Sequence, residues 1–240
     1  MLAGVIFDKD GTLFDFQQTW GAWGETALST LAGGDDLLCQ RLADIVGFDR
    51  ILSRFHPGSP AIAGTNAEVA ILLKAEMPHR TEEEVLFELN KLSRDATMAE
   101  AVPLGPFLTE LRAYGLRLGV ATNDSEDAAR AHLSATGAFE YFHQVLGYDS
   151  GYGAKPDPGM LLAFCDLEGL DPSNVAMVGD STHDLQAGRE AGMITIGVLT
   201  GVARAEDLTA LADEILPDIG HLSSSETLSP LRAHAQQARA

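Results

Sequence analysis

Cysteine and positive charge are both scarce in this sequence. Only Cys39 and Cys165 occur, far apart and without C-x-x-C spacing. That excludes a disulfide framework and a cysteine-built zinc site, and it fits a reducing compartment. Lys and Arg number 16 against 35 Asp and Glu, for a formal net charge of −19. So acidic a chain, with no basic run, repels nucleic-acid backbones and anionic membranes, so neither is expected as a partner. A phosphorylated ligand would have to be drawn in by local positive charge or by a bound cation. No stretch reaches the ~18 consecutive apolar residues of a membrane span. The apolar run at 2–7 is too short for a signal peptide and has no basic lead. A soluble, cytoplasmic protein is the expectation. G-x-S-x-G is missing, and Gly151-Tyr152-Gly153 fits neither a Rossmann fingerprint nor a P-loop.

What is present is ample for a core: 240 residues, 45% of them hydrophobic. Apolar runs at 4–7, 116–121, 174–178 and 195–198, with a shorter one at Val145 and Leu146, read as strands buried on both faces. Helical patterns lie between them at 107–114, 126–136, 158–168 and 184–191. The alternation predicts an α/β fold, Rossmann-like and doubly wound, around a mainly parallel sheet. Residues 20–31, 35–46, 68–76 and 81–93 read as helices with no strand between them, and Thr81 with Glu84 has capping-box spacing. His56-Pro57-Gly58-Ser59-Pro60 marks a loop, and Pro103, Gly105 and Pro106 mark the return to the core. The expected organisation is a core of residues 1–15 and 99–222, an inserted all-helical unit of 16–98, and a loose or frayed tail at 223–240.

The first strand runs into Phe7-Asp8-Lys9-Asp10-Gly11-Thr12-Leu13. Open α/β sheets bind ligands beyond the carboxyl ends of their strands, where Asp8 and Asp10 stand. In an extended chain their side chains share one side and Lys9 faces the other. Two carboxylates so close raise each other's pKa unless a cation joins them. Gly11 permits a sharp turn and close approach to a ligand. The plainer alternative is a solvated turn. A second acidic run weighs against that: Val175-Ala176-Met177-Val178-Gly179-Asp180-Ser181-Thr182-His183-Asp184 is again strand, glycine, acid. Asp184 alone reads as a helix N-cap, which leaves Asp180 unexplained. Acids at two strand ends suit a hard cation such as Mg2+. Thr122-Asn123-Asp124 offers a hydroxyl, an amide and helix N–H groups to phosphoryl oxygens, or simply caps a helix. Lys155, between Gly153 and Pro156, is either a solvated loop lysine or the cation that steadies a carboxylate nucleophile and a transferring phosphoryl group.

In this order, D-x-D-G-T-L, a strand ending in Thr, Lys-Pro and G-D-x-x-x-D resemble the haloacid dehalogenase superfamily, over about residues 1–15 and 100–220. The helical insert is similar to the C1-type cap of its phosphoglycolate-phosphatase-like branch, and residues 188–193 and 197–201 look like that branch too. The resemblance implies roles. Asp8 is the nucleophile and Asp10 the acid and base. Gly11, Thr122, Asn123 and Lys155 hold the phosphoryl group. Mg2+ is bound by Asp8, Asp180 and the Asp10 carbonyl, with Asp184 acting from behind them or through a water. Family dehalogenases differ at the position of Asp10, so its presence favours a phosphatase or phosphomutase.

The expected substrate is a small phosphorylated metabolite, phosphoglycolate being the best guess by resemblance. A phosphomutase of the β-phosphoglucomutase type and a non-catalytic binding protein on this fold are the alternatives; a monomer or homodimer is expected. Lys9 departs from the family pattern, which is apolar or aromatic there. A buried ammonium is costly without a partner, so Lys9 either points toward the cap or pairs with a carboxylate such as Asp15. His183 reads as solvent-facing or capping, and His56, Arg50, Arg54 and Arg80 as scattered surface charge. Trp20 and Trp23 read as anchors of the cap's own core.

Overall fold

Gly-Val-Ile-Phe, buried without a break, forms β1 (Gly4–Phe7), the pattern of a strand covered on both faces. The computed structural model, which describes residues 2–229, sets β1 inside a six-stranded parallel sheet. Along the chain follow α1 (Phe16–Ala32), α2 (Asp36–Val46), β2 (Phe48–Asp49), β3 (Arg54–Phe55), α3 (Pro60–Ala63), α4 (Asn66–Lys74) and α5 (Glu82–Arg94). Then come α6 (Leu104–Ala113), β4 (Arg117–Ala121), α7 (Glu126–Ala135), β5 (Gln144–Leu146), α8 (Gly159–Glu168) and β6 (Val175–Gly179). The last are α9 (Thr182–Glu190), β7 (Ile194–Val198), α10 (Ala205–Leu208) and β8 (Glu214–Leu216). The sheet order is β5-β4-β1-β6-β7-β8, the doubly wound α/β fold that the alternation predicts.

Side chains along β1 alternate between two cores. Val5 and Phe7 join Leu108, Leu118 and Val178 on one face of the sheet. Ile6 joins Phe164, Met160 and Met177 on the other. Phe7 is in register with Val120 of β4 and Val178 of β6. The carboxyl ends of these three strands therefore lie side by side at the point where the winding reverses, which is where such sheets form a ligand crevice.

Helices α1 to α5 close around a cluster of their own that includes Leu42, Leu73, Val85 and Leu89. Their starts follow local chemistry. Asp15 caps α1 by accepting from Gln18 N–H, and full capping boxes open α4 (Thr65 with Glu68) and α5 (Thr81 with Glu84). The expectation of an all-helical insert is corrected by the antiparallel pair β2–β3, with Phe48 opposite Phe55. Strands this short carry no readable period; the Asp49 carboxylate makes the turn by accepting from Ile51 and Leu52 N–H. The loop at 56–60 leads straight into α3, which Ser59 caps. β8 was likewise not legible. The tail does not loosen at residue 223, because Leu228 is fully buried in the sheet core; residues 230–240 lie outside the described residues. Among the described residues, no helix is long and apolar enough to cross a membrane.

Candidate active site

Four segments converge at the crevice. β1 delivers Asp8, whose backbone N–H still donates to Val178 O at 2.9 Å, so the sheet ladder fixes its position. β6 delivers Asp180, and the first turn of α9 delivers Asp184. The β5–α8 loop brings in Lys155, whose Nζ donates to Asp8 Oδ1 at 2.5 Å and to Asp184 Oδ1 at 2.6 Å. The Lys155 main chain is clamped in turn: Asn123 Nδ2 donates to its carbonyl at 2.9 Å, and its N–H donates to Asn123 Oδ1 at 2.8 Å. Thr122, at the end of β4, is buried beside them, its hydroxyl accepting from Asp124 N–H at 3.1 Å.

Asp184 resolves a choice between capping and chemistry by doing both. It is not the N-cap, a place taken by Ser181. It sits at the third helical position, where its Oδ2 accepts from Ser181 N–H and Oγ while Oδ1 faces Lys155. The helix start thus aims the carboxylate.

Oxygens of Asp8, Asp180 and Asp184 lie within 4.8 Å of one another, all buried. Burial pushes the Asp8 carboxyl up to about 7, helped by Asp184 and Asp10 and opposed by Lys155. Burial, then Asp184 and Asp8, also holds Asp180 well above the ordinary carboxylate range. Burial alone would lower Lys155, but Asp184 and Asp8 carry it above its usual value. Such a set fits a hard divalent cation: buried oxygen donors whose charge exceeds what one ammonium offsets. The backbone is shaped to it. Gly11 has φ +88°, and a Cβ there would lie 2.5 Å from the Asp180 carboxyl carbon; one at Gly201 would lie 1.6 Å from Asp180 Oδ2. The Asp10 carboxylate, expected as the acid and base rather than as a ligand, stands outside this cluster.

A family model for haloacid dehalogenase-like hydrolases matches residues 2–192. The chain belongs to this family. A phosphoglycolate phosphatase of Psychrobacter arcticus is 31% identical over 209 residues, covering 86% of this chain and 87% of that one. A protein of Dickeya dadantii named probable phosphatase IndB is 40% identical over 111 residues, 46% of this chain and 48% of that one. Among solved structures, a β-phosphoglucomutase of Clostridium difficile superposes with TM-score 0.69 at 16% identity, covering 98% and 99% of the two chains. Within the family the chain is a phosphatase of the phosphoglycolate-phosphatase-like branch.

This haloacid dehalogenase-like hydrolase departs from its family pattern at Lys9, and the structure accounts for it. The chain does not stay extended after β1: Leu13 and Phe14 N–H both donate to Lys9 O, closing a tight turn. Lys9, expected opposite the acids, is fully buried and reaches Asp10 Oδ1 at 2.7 Å and Oδ2 at 2.6 Å. It also lies 3.2 Å from Asp124 Oδ2 and 3.2 Å from His132 Nδ1. Asp15, the partner named from sequence, is used as the α1 cap instead. Burial lowers the ammonium's pKa, but Asp10 and Asp124 outweigh it and the net direction is up. His132, pushed down by burial and by Lys9, bonds Ser93 O of α5 through Nε2 at 2.7 Å. Trp20, an anchor of the cap cluster as expected, also donates its Nε1–H to Asp10 Oδ1 at 2.8 Å.

Asp124, His132 and Trp20 were not expected to join the site. The one available signal was Lys9 itself, since a buried ammonium demands carboxylate partners. Arg50 behaves as surface charge, pairing with Glu25 and Asp36. His183 is half-buried rather than solvent-facing and lines the cavity between cap and crevice.

Proposed function

We propose that this phosphatase hydrolyses small phosphomonoesters with Mg2+, through an aspartyl-phosphate on Asp8. The observation that carries the reading is the meeting of Asp8, Asp180, Asp184 and Lys155 from four separate segments at one buried point, with Asp10 alongside. Asp8 attacks phosphorus, and the P–O bond to the leaving oxygen breaks. Asp10 gives that oxygen a proton, then takes one from the water that hydrolyses the acyl phosphate. Lys9 and Trp20 hold the Asp10 carboxylate in one orientation for both steps. Lys155 neutralises Asp8 and the phosphoryl oxygens. Thr122, Asn123 and Gly11 border the phosphoryl position, Asn123 also fixing the Lys155 main chain. Mg2+, held by Asp8, Asp180, Asp184 and the Asp10 carbonyl, would offset phosphoryl charge and let an anionic nucleophile approach.

Phosphoglycolate, the substrate stated in the relatives' names, is the reference compound, and phosphate rather than an isomerised sugar phosphate is the expected product. Both cysteines are buried free thiols, in keeping with a cytoplasmic setting. Phosphate release from 4-nitrophenyl phosphate with Mg2+ tests the reading. Asp8→Asn should lower it at least about a thousandfold; substantial residual turnover would remove Asp8 as nucleophile.

A further inference from the structure

Between the crevice and the cap lies a cavity of about 70 Å³, room for roughly five water-sized positions. Its floor is the acidic site. Its roof is mainly apolar, with Phe16, Trp20, Trp23, Phe55, Ile62 and Val69, and the cap adds two neutral polar side chains, Asn66 and Ser93. Among the described residues, Lys155 is the one Lys or Arg on its lining, and that ammonium is already shared by Asp8 and Asp184. Of the cap arginines, Arg41 pairs with Glu76 and Arg50 with Glu25 and Asp36, and neither Arg54 nor Arg80 is on the lining.

Charge on the floor is unbalanced. Asp8, Asp10, Asp124, Asp180 and Asp184 face two ammonium groups, Lys9 and Lys155. A divalent cation still leaves a negative excess before a phosphoryl group arrives. A leaving group bearing a carboxylate would add further negative charge beneath a mainly apolar roof with no Lys or Arg to meet it, a costly burial. Among the described residues, three polar side-chain atoms on the lining are buried without a hydrogen-bond partner: Trp23 Nε1, His183 Nδ1 and Asp124 Oδ2, the last facing the Lys9 ammonium at 3.2 Å; the indole Nε1–H is the one of the three that can act only as a donor. A buried donor without an acceptor costs free energy, and a ligand acceptor would remove that cost.

Resting on the phosphatase reading above, we infer that the cap cavity is a leaving-group subsite for compact, uncharged, flat or apolar alcohols carrying a hydrogen-bond acceptor for Trp23, and that it selects against carboxylated leaving groups. The aromatic walls take the flat face, the Trp23 N–H sets the orientation, and the floor's charge disfavours a further carboxylate beside the phosphoryl group.

Purified full-length protein with Mg2+ would be assayed for phosphate release on two matched pairs: ethyl phosphate against 2-phosphoglycolate, and phenyl phosphate against 4-carboxyphenyl phosphate. The uncharged member should show at least about tenfold higher kcat/KM in each pair. Equal or better turnover of the carboxylated member in either pair overturns the subsite while leaving the phosphatase reading intact. No phosphate from any of the four overturns both. Trp23→Phe keeps a ring and removes the donor. It should lower the ratio of kcat/KM for 3-pyridyl phosphate over phenyl phosphate by about three- to tenfold, and an unchanged ratio removes Trp23 as the donor. Ile62→Arg places a cation on the roof and should shift preference toward 2-phosphoglycolate over ethyl phosphate by about tenfold or more. No shift in a variant that melts like the parent overturns the charge argument.

Discussion

Two lysines are buried at the active site, and they serve different ends. Lys155 comes from a loop of the sheet domain and bridges two carboxylates, Asp8 and Asp184, that also belong to the metal-type cluster. Lys9 lies one residue from Asp8 yet reaches a separate pair, Asp10 and Asp124. Its surroundings come partly from the cap: Trp20 lies 5.2 Å from its Nζ, and His132 leads on to Ser93 of α5. Desolvation makes either ammonium expensive alone, and two carboxylates resolve the cost in both places. The difference is what each pair is attached to. Lys155 ties the nucleophile to the cation-binding acids, whereas Lys9 ties the acid–base residue to the cap.

The largest expected effect breaks the first pair. Lys155→Met should lower kcat by about 10²–10³ with 4-nitrophenyl phosphate. Steady-state kinetics checks it, and a loss confined to KM would show that Lys155 merely binds. Lys9→Met should lower kcat less, about tenfold, but should destabilise by about 3 kcal/mol because Asp10 and Asp124 lose their cation. Urea melts of Lys9→Met, Asp124→Asn and the double variant should give a double loss smaller than the sum; strict additivity would mean that the two do not act as a pair.

The third prediction concerns pH. Asp8 is raised to about 7 when folded against 3.8 unfolded, so between those values the metal-free folded state binds more protons than the unfolded chain. Its contribution to stability is full below about pH 4 and is lost as pH rises toward 7. Mg2+ requires the carboxylates ionised, so binding at pH 6.5 should release protons, Asp8 alone giving up most of one, and its share should fall as pH rises above 7. Calorimetric titration in buffers of different ionisation enthalpy checks this, and proton release that does not change with pH would contradict it. The smallest effect is Trp20→Phe, which keeps the ring and removes one donor to Asp10. A two- to tenfold fall in kcat is expected, with the Mg2+ dependence unchanged.

Much of the sheet side of the site was legible because β1, β4 and β6 are continuous apolar runs and each ends in its functional residue. Asp8, Thr122 and Asp180 could be placed at strand ends, and Asp184 near the following helix start, from that pattern alone. Lys155 needed the loop geometry: Asn123 holds its main chain from another segment, and no local rule indicates that. The Lys9 cluster was less legible still. Asp124 is 115 positions away, and Trp20 and His132 come from helices whose facing is a property of packing.

The sequence by itself determined the alternation that makes a doubly wound sheet, the acids and threonine at its strand ends, and the helix start at Thr81. These are local consequences of burial pattern, backbone termination and capping. Only the tertiary structure decided that Lys9 turns back onto Asp10 and Asp124, that Trp20 crosses from the cap to the acid–base residue, and that the cavity roof is mainly apolar and holds the unpartnered indole N–H of Trp23. Those facts depend on groups brought together across the chain, where desolvation makes each unpaired charge costly and packing settles which partner can reach it.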